Sequence, residues 1–138
     1  MDRLALTMAQ APITGEPLPG VDTTFGFILD VLTPEEAKAH FEVGPQHLQP
    51  AGLVHGGVYA AFAESVASAS SYSAVVDDGK TVLGVANSTS FLRPIAEGAV
   101  HATGRAIHRG RTTWVWEFEM TDDDGKLCAV SRVTIAIR

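Results

Sequence analysis

Hydrophobic and polar residues alternate along much of the second half of the chain. The alternation is clearest where Trp114, Trp116, Phe118 and Met120 occupy every second position. A period of two is typical of a strand with one buried face. Runs rich in Val, Thr and aromatic residues, separated by turn residues, therefore predict four strands. These lie at residues 80–92, 98–108, 112–121 and 126–137.

The first half of the chain has a more varied pattern. Two further strands are predicted at 25–32 and 37–43, joined by a turn that contains Pro34, and 44–52 reads as a loop. Residues 1–20 hold three prolines and two glycines and have no sustained period. They are predicted to form a loose N-terminal arm with one helical turn near residues 4–8. The remainder, 21–138, is predicted to be a single domain.

The middle of the chain contains one strong helix candidate at residues 56–76. It is dominated by Ala, Ser and Val and is apolar or small on nearly every side, which indicates a helix covered on most faces. Asp77, Asp78 and Gly79 end it. One buried helix beside a long antiparallel meander predicts an α+β fold, in which a sheet of about six strands wraps around the helix.

Composition and charge exclude several classes of protein. A length of 138 residues suits one domain, and a net charge of −6 disfavours nucleic-acid binding. No apolar run reaches the length of a membrane span, and no secretory signal is visible. The lone Cys128 forms neither an intramolecular disulfide nor a thiolate metal site. The expectation is a cytoplasmic protein without a membrane or nucleic-acid partner.

The start of the predicted helix carries two consecutive glycines, Gly56 and Gly57. Their backbone N–H groups are unscreened by side chains, and the positive end of the helix dipole lies behind them. This arrangement suits the oxyanion of a tetrahedral intermediate in acyl transfer. The simpler interpretation is a tight turn into a helix, which is the commoner reason for a Gly-Gly pair.

Glu64 is the most distinctive residue of this helix. Between Val58 and Val76 it is the only ionisable side chain apart from Tyr59 and Tyr72. A carboxylate in apolar surroundings is costly unless it is paired or used in chemistry. Two interpretations are equally supported: a catalytic acid or base, and a structural glutamate paired with an arginine from the sheet.

Three neighbouring residues are candidates for supporting roles. Ser68, one turn after Glu64, suits a water-positioning hydroxyl or a small packing residue. His55 suits a general base or a helix cap, and Gln49 suits a donor to a thioester oxygen or a plain loop amide. No metal site is implied, because His55 and Glu64 are nine residues apart and point to opposite sides of a helix.

The helix itself separates the two halves of this predicted chemistry. Gly57 and Glu64 are seven residues apart, which places them roughly 10 Å apart along the axis. An oxyanion donor and a nucleophile must both lie within about 3 Å of the reacting carbonyl. The hypothesis that follows is a site in which one subunit supplies the donor and a second subunit supplies Glu64.

These motifs resemble the hotdog-fold acyl-CoA thioesterases, in the branch that contains the 4-hydroxybenzoyl-CoA, 1,4-dihydroxy-2-naphthoyl-CoA and phenylacetate-pathway thioesterases. The match begins at Gln49-Pro50, continues through Leu53-Val54-His55-Gly56-Gly57 and reaches Glu64-Ser65 after six residues. It continues through Phe91-Leu92-Arg93-Pro94, Gly110-Arg111 and the segment 124–128. It covers nearly all of the chain beyond the N-terminal arm.

The resemblance implies a role for each matching residue. Glu64 corresponds to the nucleophile or general base, Gly56 to the oxyanion donor and Gln49 to the side chain that polarises the thioester carbonyl. His55 lies near the thioester sulfur, and Ser68 supports hydrolysis. Arg93, Arg111 and Thr112 meet the nucleotide and phosphates of coenzyme A, although some members carry Ser-Thr in place of Arg111-Thr112.

The resemblance also implies the activity and the assembly. The expected reaction is hydrolysis of an acyl- or aroyl-CoA, with hydroxyaroyl-CoA favoured, and coenzyme A is part of the substrate rather than a cofactor. The expected assembly is a homodimer with shared active sites, which further associates into a homotetramer. The alternatives are a hydratase or dehydratase of the same fold, and a non-catalytic acyl-CoA-binding protein.

Seven of the ten basic residues lie after residue 90. The alternatives for them are scattered solvated charge and a local patch for a phosphorylated ligand. With the resemblance, the phosphate-binding role leads for Arg93 and Arg111. For Arg109 and Arg138 the phosphate-binding role and the solvated charge are equally supported. Arg105 and Arg132 are still interpreted as solvated charges.

Overall fold

A computed structural model describes residues 14–138, so the predictions for residues 1–13, including the helical turn near 4–8, lie outside the described residues. The helices are α1 (Val21–Phe25) and α2 (Gly56–Val75), with single 3-10 turns at Pro45–His47 and Val76–Asp78. The strands are β1 (Ile28–Leu32), β2 (Glu36–Glu42), β3 (Val82–Phe91), β4 (Ala99–Arg109), β5 (Thr113–Thr121) and β6 (Leu127–Ile137).

The six strands form one antiparallel sheet in the order β1-β2-β4-β5-β6-β3. The strand β3 follows α2 and pairs only with β6, so it lies at one edge of the sheet. The strand β1 pairs only with β2 and lies at the other edge. The inner face of the sheet covers α2. This arrangement confirms the predicted α+β class, the number of strands and the hotdog architecture.

The core lies between α2 and the inner face of the sheet. Trp114, Trp116, Phe118 and Met120 are all buried, so the alternation in β5 is confirmed. The Trp116 indole N–H donates to Ser71 Oγ over 2.9 Å and ties β5 to α2. That bond satisfies the one polar atom of a fully buried ring, as a packed core requires.

The helix α2 is covered on most sides, as its composition predicts. Eleven of its 20 residues are buried, and Phe62, Ala63 and Val66 are fully inaccessible. The helix begins one residue after His55, which caps it, and it ends at Val75. Neither described helix is both long enough and apolar enough to cross a membrane.

One predicted strand begins later than expected. The sequence pattern started it at Phe25, but Phe25 is the last residue of α1, and β1 begins at Ile28. The reason is Gly26, which adopts the left-handed conformation with φ of 66° and closes the helix through its N–H bond to Thr23 O. Such helix caps favour glycine, and here the cap shortens the strand.

A buried carboxylate fixes α1 to the central helix. Asp22 is 8% exposed, and its Oδ1 accepts a hydrogen bond of 2.6 Å from Ser65 Oγ. Burial raises the pKa of Asp22, and the bond from Ser65 opposes this shift only in part. The folded chain therefore keeps the Asp22 proton to a higher pH than the unfolded chain does.

This shift has a testable consequence for stability. The protonated form of Asp22 makes the fold more stable than the ionised form does. This contribution is fully present below the unfolded pKa near 3.8, and it is lost as the pH rises through the higher pKa of the folded chain. Asp22→Asn removes the titration and keeps the acceptor for Ser65. We expect urea unfolding between pH 4 and pH 7 to show a smaller loss of stability with rising pH in the variant. Identical pH dependence in both proteins would contradict this account.

Candidate active site

The start of α2 presents one free backbone donor. His55 is the N-cap residue, and its Nδ1 accepts the Gly57 N–H over 2.8 Å. Of the two glycine N–H groups, only that of Gly56 has no acceptor within residues 14–138. The free N–H lies at the positive end of a 20-residue helix and suits an oxyanion.

His55 takes the capping role that was one of its two alternatives. Because Nδ1 accepts a hydrogen bond, the neutral ring carries its proton on Nε2. The residue is exposed, and Nε2 has no hydrogen-bond partner within residues 14–138. The structure therefore presents His55 as a hydrogen-bond donor rather than as a base.

Phe91, at the end of β3, forms an apolar wall beside Gly56. A Cβ on Gly56 would lie 2.7 Å from Phe91 Cζ, so the ring rests directly on the glycine. The ring is 58% exposed, and its centroid lies 6.1 Å from that of Tyr59. In the sequence, Phe91 stood out only as part of a matching motif. The signal that was missed is its place as an aromatic residue near the end of a predicted strand, where it can border a binding surface.

Gln49 is held by a short hairpin that leads into the helix. Its backbone N–H donates to Leu53 O over 2.8 Å, and residues 48 and 54 form a β-bridge. The side-chain oxygen accepts the N–H of Ala51. Because this bond occupies the oxygen, the amide NH2 group is the part left free to donate, as polarisation of a carbonyl requires.

Glu64 is exposed in the single chain, which corrects the expectation of a carboxylate enclosed by apolar groups. Within residues 14–138 its carboxylate has no ion pair and no hydrogen bond, so the alternative of a structural pair with an arginine is wrong for the described chain. Instead, Oε1 lies against β3 at Gly84. One copy of the chain leaves this acid open and unpartnered.

Ser68 follows Glu64 on the same helix and is partly buried. No hydrogen bond joins its hydroxyl to the Glu64 carboxylate. The described chain thus leaves both groups free, and it does not distinguish the water-positioning role of Ser68 from a packing role.

The oxyanion donor and the acid lie at different places along β3. Gly56 rests against Phe91, whereas Glu64 rests against Gly84, seven residues earlier in the strand. The two also differ by eight residues along α2, a rise of about 12 Å. One chain therefore keeps the Gly56 N–H and the Glu64 carboxylate apart, as their spacing along the predicted helix indicates.

The predicted coenzyme A residues are separated in the same way. The Arg93 backbone N–H donates to Cys128 O at the start of β6, whereas Thr112 O accepts the Ile137 N–H at its end. Nine residues of extended strand span about 30 Å. Within one chain, Arg93 is therefore not close to Arg111 and Thr112, so a single copy does not bring the predicted coenzyme A residues together.

Several other arginines are paired. Arg105 and Arg132 both contact Glu117 across neighbouring strands, and the Arg132 hydrogen bond is the main reason that the pKa of Glu117 is lowered. Arg109 lies 3.1 Å from Glu35 Oε1. These pairs confirm Arg105 and Arg132 as surface charges and assign Arg109 to the same group. Arg93 and Arg111 have no carboxylate partner within residues 14–138.

Sequence comparison identifies a matching family. A model described as "Thioesterase superfamily" matches residues 51–129, which include the start of α2, Glu64 and Arg111. The matched segment is more than half of the chain.

Individual relatives support the same assignment. The 1,4-dihydroxy-2-naphthoyl-CoA hydrolase of Listeria monocytogenes is 36% identical over 121 residues, which is 86% of this chain and 96% of the relative. The proofreading thioesterase EntH of Cronobacter sakazakii is 34% identical over 110 residues, covering 80% of this chain and 74% of the relative. A crystal structure of a mutant of the thioesterase PA1618 from Pseudomonas aeruginosa matches with a TM-score of 0.82 and 34% identity, covering 86% of each chain.

Proposed function

The chain belongs to the thioesterase superfamily and is a thioester hydrolase, and we propose that it hydrolyses an aroyl-coenzyme A at a site shared between two subunits. The observation that carries the proposal is the pair of unused groups on α2. The Gly56 N–H has no acceptor, and the Glu64 carboxylate has no partner within residues 14–138. Each is the kind of group that acyl transfer requires.

In the proposed reaction the thioester carbonyl oxygen accepts hydrogen bonds from the Gly56 N–H and the Gln49 side-chain amide. Glu64 either takes a proton from a water molecule that attacks the carbonyl carbon, or attacks this carbon itself to form an anhydride that water then hydrolyses. In both routes the C–S bond breaks, and the electron pair leaves with the coenzyme A sulfur. His55, with its proton on Nε2, donates a hydrogen bond to the leaving sulfur, and the thiolate then takes its proton from solvent. The products are the free acid and coenzyme A.

Two copies are needed to bring the donor and the acid together. The edge strand β3 is long, and much of its length is exposed, including Val85 at 58% and Leu83 at 48%. Such an edge is a template for pairing with another strand. We propose that β3 pairs antiparallel with β3 of a second subunit about a two-fold axis.

The contacts along β3 set the register of this pairing. Gly56 lies at Phe91 and Glu64 lies at Gly84. If Gly84 faces Phe91 of the partner subunit, then each Glu64 faces Gly56 of the partner subunit. Because the register shift beside Gly84 makes Val85 an extra residue, the two-fold axis then passes at Ser88. This register also encloses Glu64 between two chains, which supplies the burial that one chain lacks.

The same pairing reunites the coenzyme A residues. Val82 pairs with Ile137, whose N–H binds Thr112 O, so the beginning of β3 lies beside the Arg111 turn. In the proposed register the end of β3, which leads to Arg93, approaches the beginning of β3 in the second subunit. Arg93 and Arg111 of the partner subunit then flank one channel, and both lack a carboxylate partner in the described chain. Unpaired arginines suit the phosphates of coenzyme A.

The acyl class is proposed to be aromatic. The exposed face of Phe91, with Tyr59 beside it, borders the proposed carbonyl position at Gly56. A planar ring stacks on such a wall more favourably than a flexible chain does. The similarity to a 1,4-dihydroxy-2-naphthoyl-CoA hydrolase supports a hydroxyaroyl-CoA.

A thiol-release assay over a panel of coenzyme A thioesters tests this function. The panel contains hydroxybenzoyl-, hydroxynaphthoyl-, arylacetyl- and straight-chain fatty acyl-CoA at equal concentrations. We expect kcat/KM for a hydroxyaroyl-CoA to exceed that for the fatty acyl-CoAs by about tenfold or more, a difference of about 1.4 kcal/mol in transition-state binding. Equal or higher values for the fatty acyl-CoAs would overturn the aromatic assignment. Absence of thiol release from every member would overturn the proposed acyl-CoA substrate.

A further inference from the structure

An irregularity in β3 lies directly beneath the candidate acid. The pairing of β3 with β6 shifts register between Gly84 and Ala86, so Val85 is an extra residue, as in a β-bulge. Bulges bend a strand and are common next to active sites. The Glu64 carboxylate contacts β3 at this bulge, next to Gly84.

The contact depends on the absence of a side chain at residue 84. An ideal Cβ on Gly84 would lie 2.6 Å from Glu64 Oε1 and 3.4 Å from both Cδ and Cγ. The first distance is far inside van der Waals contact. Gly84 is not one of the glycines with positive φ, so its backbone conformation accommodates any residue. Space for the carboxylate, rather than the backbone conformation, is what glycine supplies here.

We propose that Gly84 is a positioning residue, whose missing side chain sets where the Glu64 carboxylate lies for attack on the thioester. No hydrogen bond or ion pair from residues 14–138 holds this carboxylate, so the contact at Gly84 is what limits how closely it approaches the strand. The inference rests on the proposed role of Glu64. It adds a determinant of the reaction geometry that does not itself contact the substrate.

The size of the expected effect follows from the displacement. To reach ordinary contact with an alanine Cβ, Oε1 has to move by about 1 Å, and misplacement of a catalytic group by that distance lowers rates by about 100-fold. A methyl group at residue 84 removes none of the proposed contacts of coenzyme A with Arg93 and Arg111. We therefore expect Gly84→Ala to lower kcat by about 10- to 100-fold and to change KM by less than about threefold.

The control is Ser90→Ala, which makes an equally small change on an exposed position of the same strand. This variant is expected to keep kcat within about twofold of the parent. If Gly84→Ala also keeps its kcat within that range, Gly84 does not position the acid.

A double-mutant cycle with Glu64→Asp separates positioning from general damage. Aspartate is one methylene shorter, so its carboxylate withdraws from residue 84. We expect Gly84→Ala to lower kcat by less than about threefold in the Glu64→Asp background, because the two sites are coupled. Equal loss in both backgrounds would overturn the proposal. If Gly84→Ala instead lowers the melting temperature, its recovery in the double variant supports the contact, and no recovery overturns it.

These outcomes are distinguishable from failure of the proposed function. If Glu64→Gln retains full activity, the proposed role of the acid is wrong, whatever Gly84 does. If Glu64→Gln is inactive while Gly84→Ala is normal, the site stands and only the positioning role falls.

Discussion

Glu64→Gln is expected to lower kcat for thioester hydrolysis by about 1000-fold or more. Glutamine keeps the size of the side chain but is neither a nucleophile nor a proton acceptor, so both mechanisms left open for Glu64 lose their essential step. Because the carboxylate has no partner within residues 14–138, its removal leaves no buried group unsatisfied. We therefore expect the melting temperature to be unchanged or slightly higher.

The measurement is steady-state thiol release beside thermal unfolding of the same samples. Glu119→Gln provides the matched control, since Glu119 is an exposed acid on the outer face of the sheet. It carries the same loss of charge and is expected to keep parental kcat. A Glu64→Gln protein that turns over within about tenfold of the parent would remove this residue from the mechanism.

Gly56→Pro is expected to lower kcat by about 100- to 1000-fold, the usual loss for one oxyanion donor. Proline removes the backbone N–H and nothing else that the helix requires, because Gly56 is the first residue of α2. Proline is well tolerated at that position. The residue before it, His55, already has the extended conformation that proline demands, with ψ of 136°.

Gly56→Ala is the control that makes this prediction specific. Alanine introduces the same Cβ against the exposed Phe91 ring but retains the N–H. The difference in kcat between the two variants therefore reports the hydrogen bond rather than the contact with Phe91. Similar losses in both variants would show that the N–H is not the oxyanion donor.

The fold could be predicted well from local patterns. The alternation from Trp114 to Met120 defines the buried face of β5, and the small, apolar stretch after Gly56 defines the central helix. The error at Phe25 arose because a single left-handed glycine, Gly26, decides whether the preceding residues form a helix or a strand. Apolar content alone does not distinguish the two.

The candidate site divides in the same way between local and non-local determinants. The side chains of His55 and Gln49 accept hydrogen bonds from backbone N–H groups only two positions away, so their local geometry follows from the nearby sequence. The exposure of Glu64 was not predictable, because what covers a helix face is decided by elements distant in sequence. Gly84 was a missed signal, since a glycine inside a strand often marks a bulge or a close approach.

The arginines illustrate the same limit. Arg93 and Arg111 are 18 residues apart in sequence, yet they lie near opposite ends of β6. That separation follows from the strand order, in which β6 lies between β5 and β3. Charge and motif position identify residues that suit phosphate, but only the topology shows that one copy of the chain keeps them apart.

The central claim is that each active site takes its donor from one subunit and its acid from another, and complementation tests it most directly. Glu64→Gln and Gly56→Pro chains are unfolded together, refolded as a mixture and assayed beside each variant alone. Each mixed dimer contains one site with both groups intact and one with neither. With random pairing, half of the dimers are mixed, so we expect roughly a quarter of parental activity. Activity no higher than that of the separate variants, in a mixture shown by mass spectrometry to contain mixed dimers, would contradict the shared site.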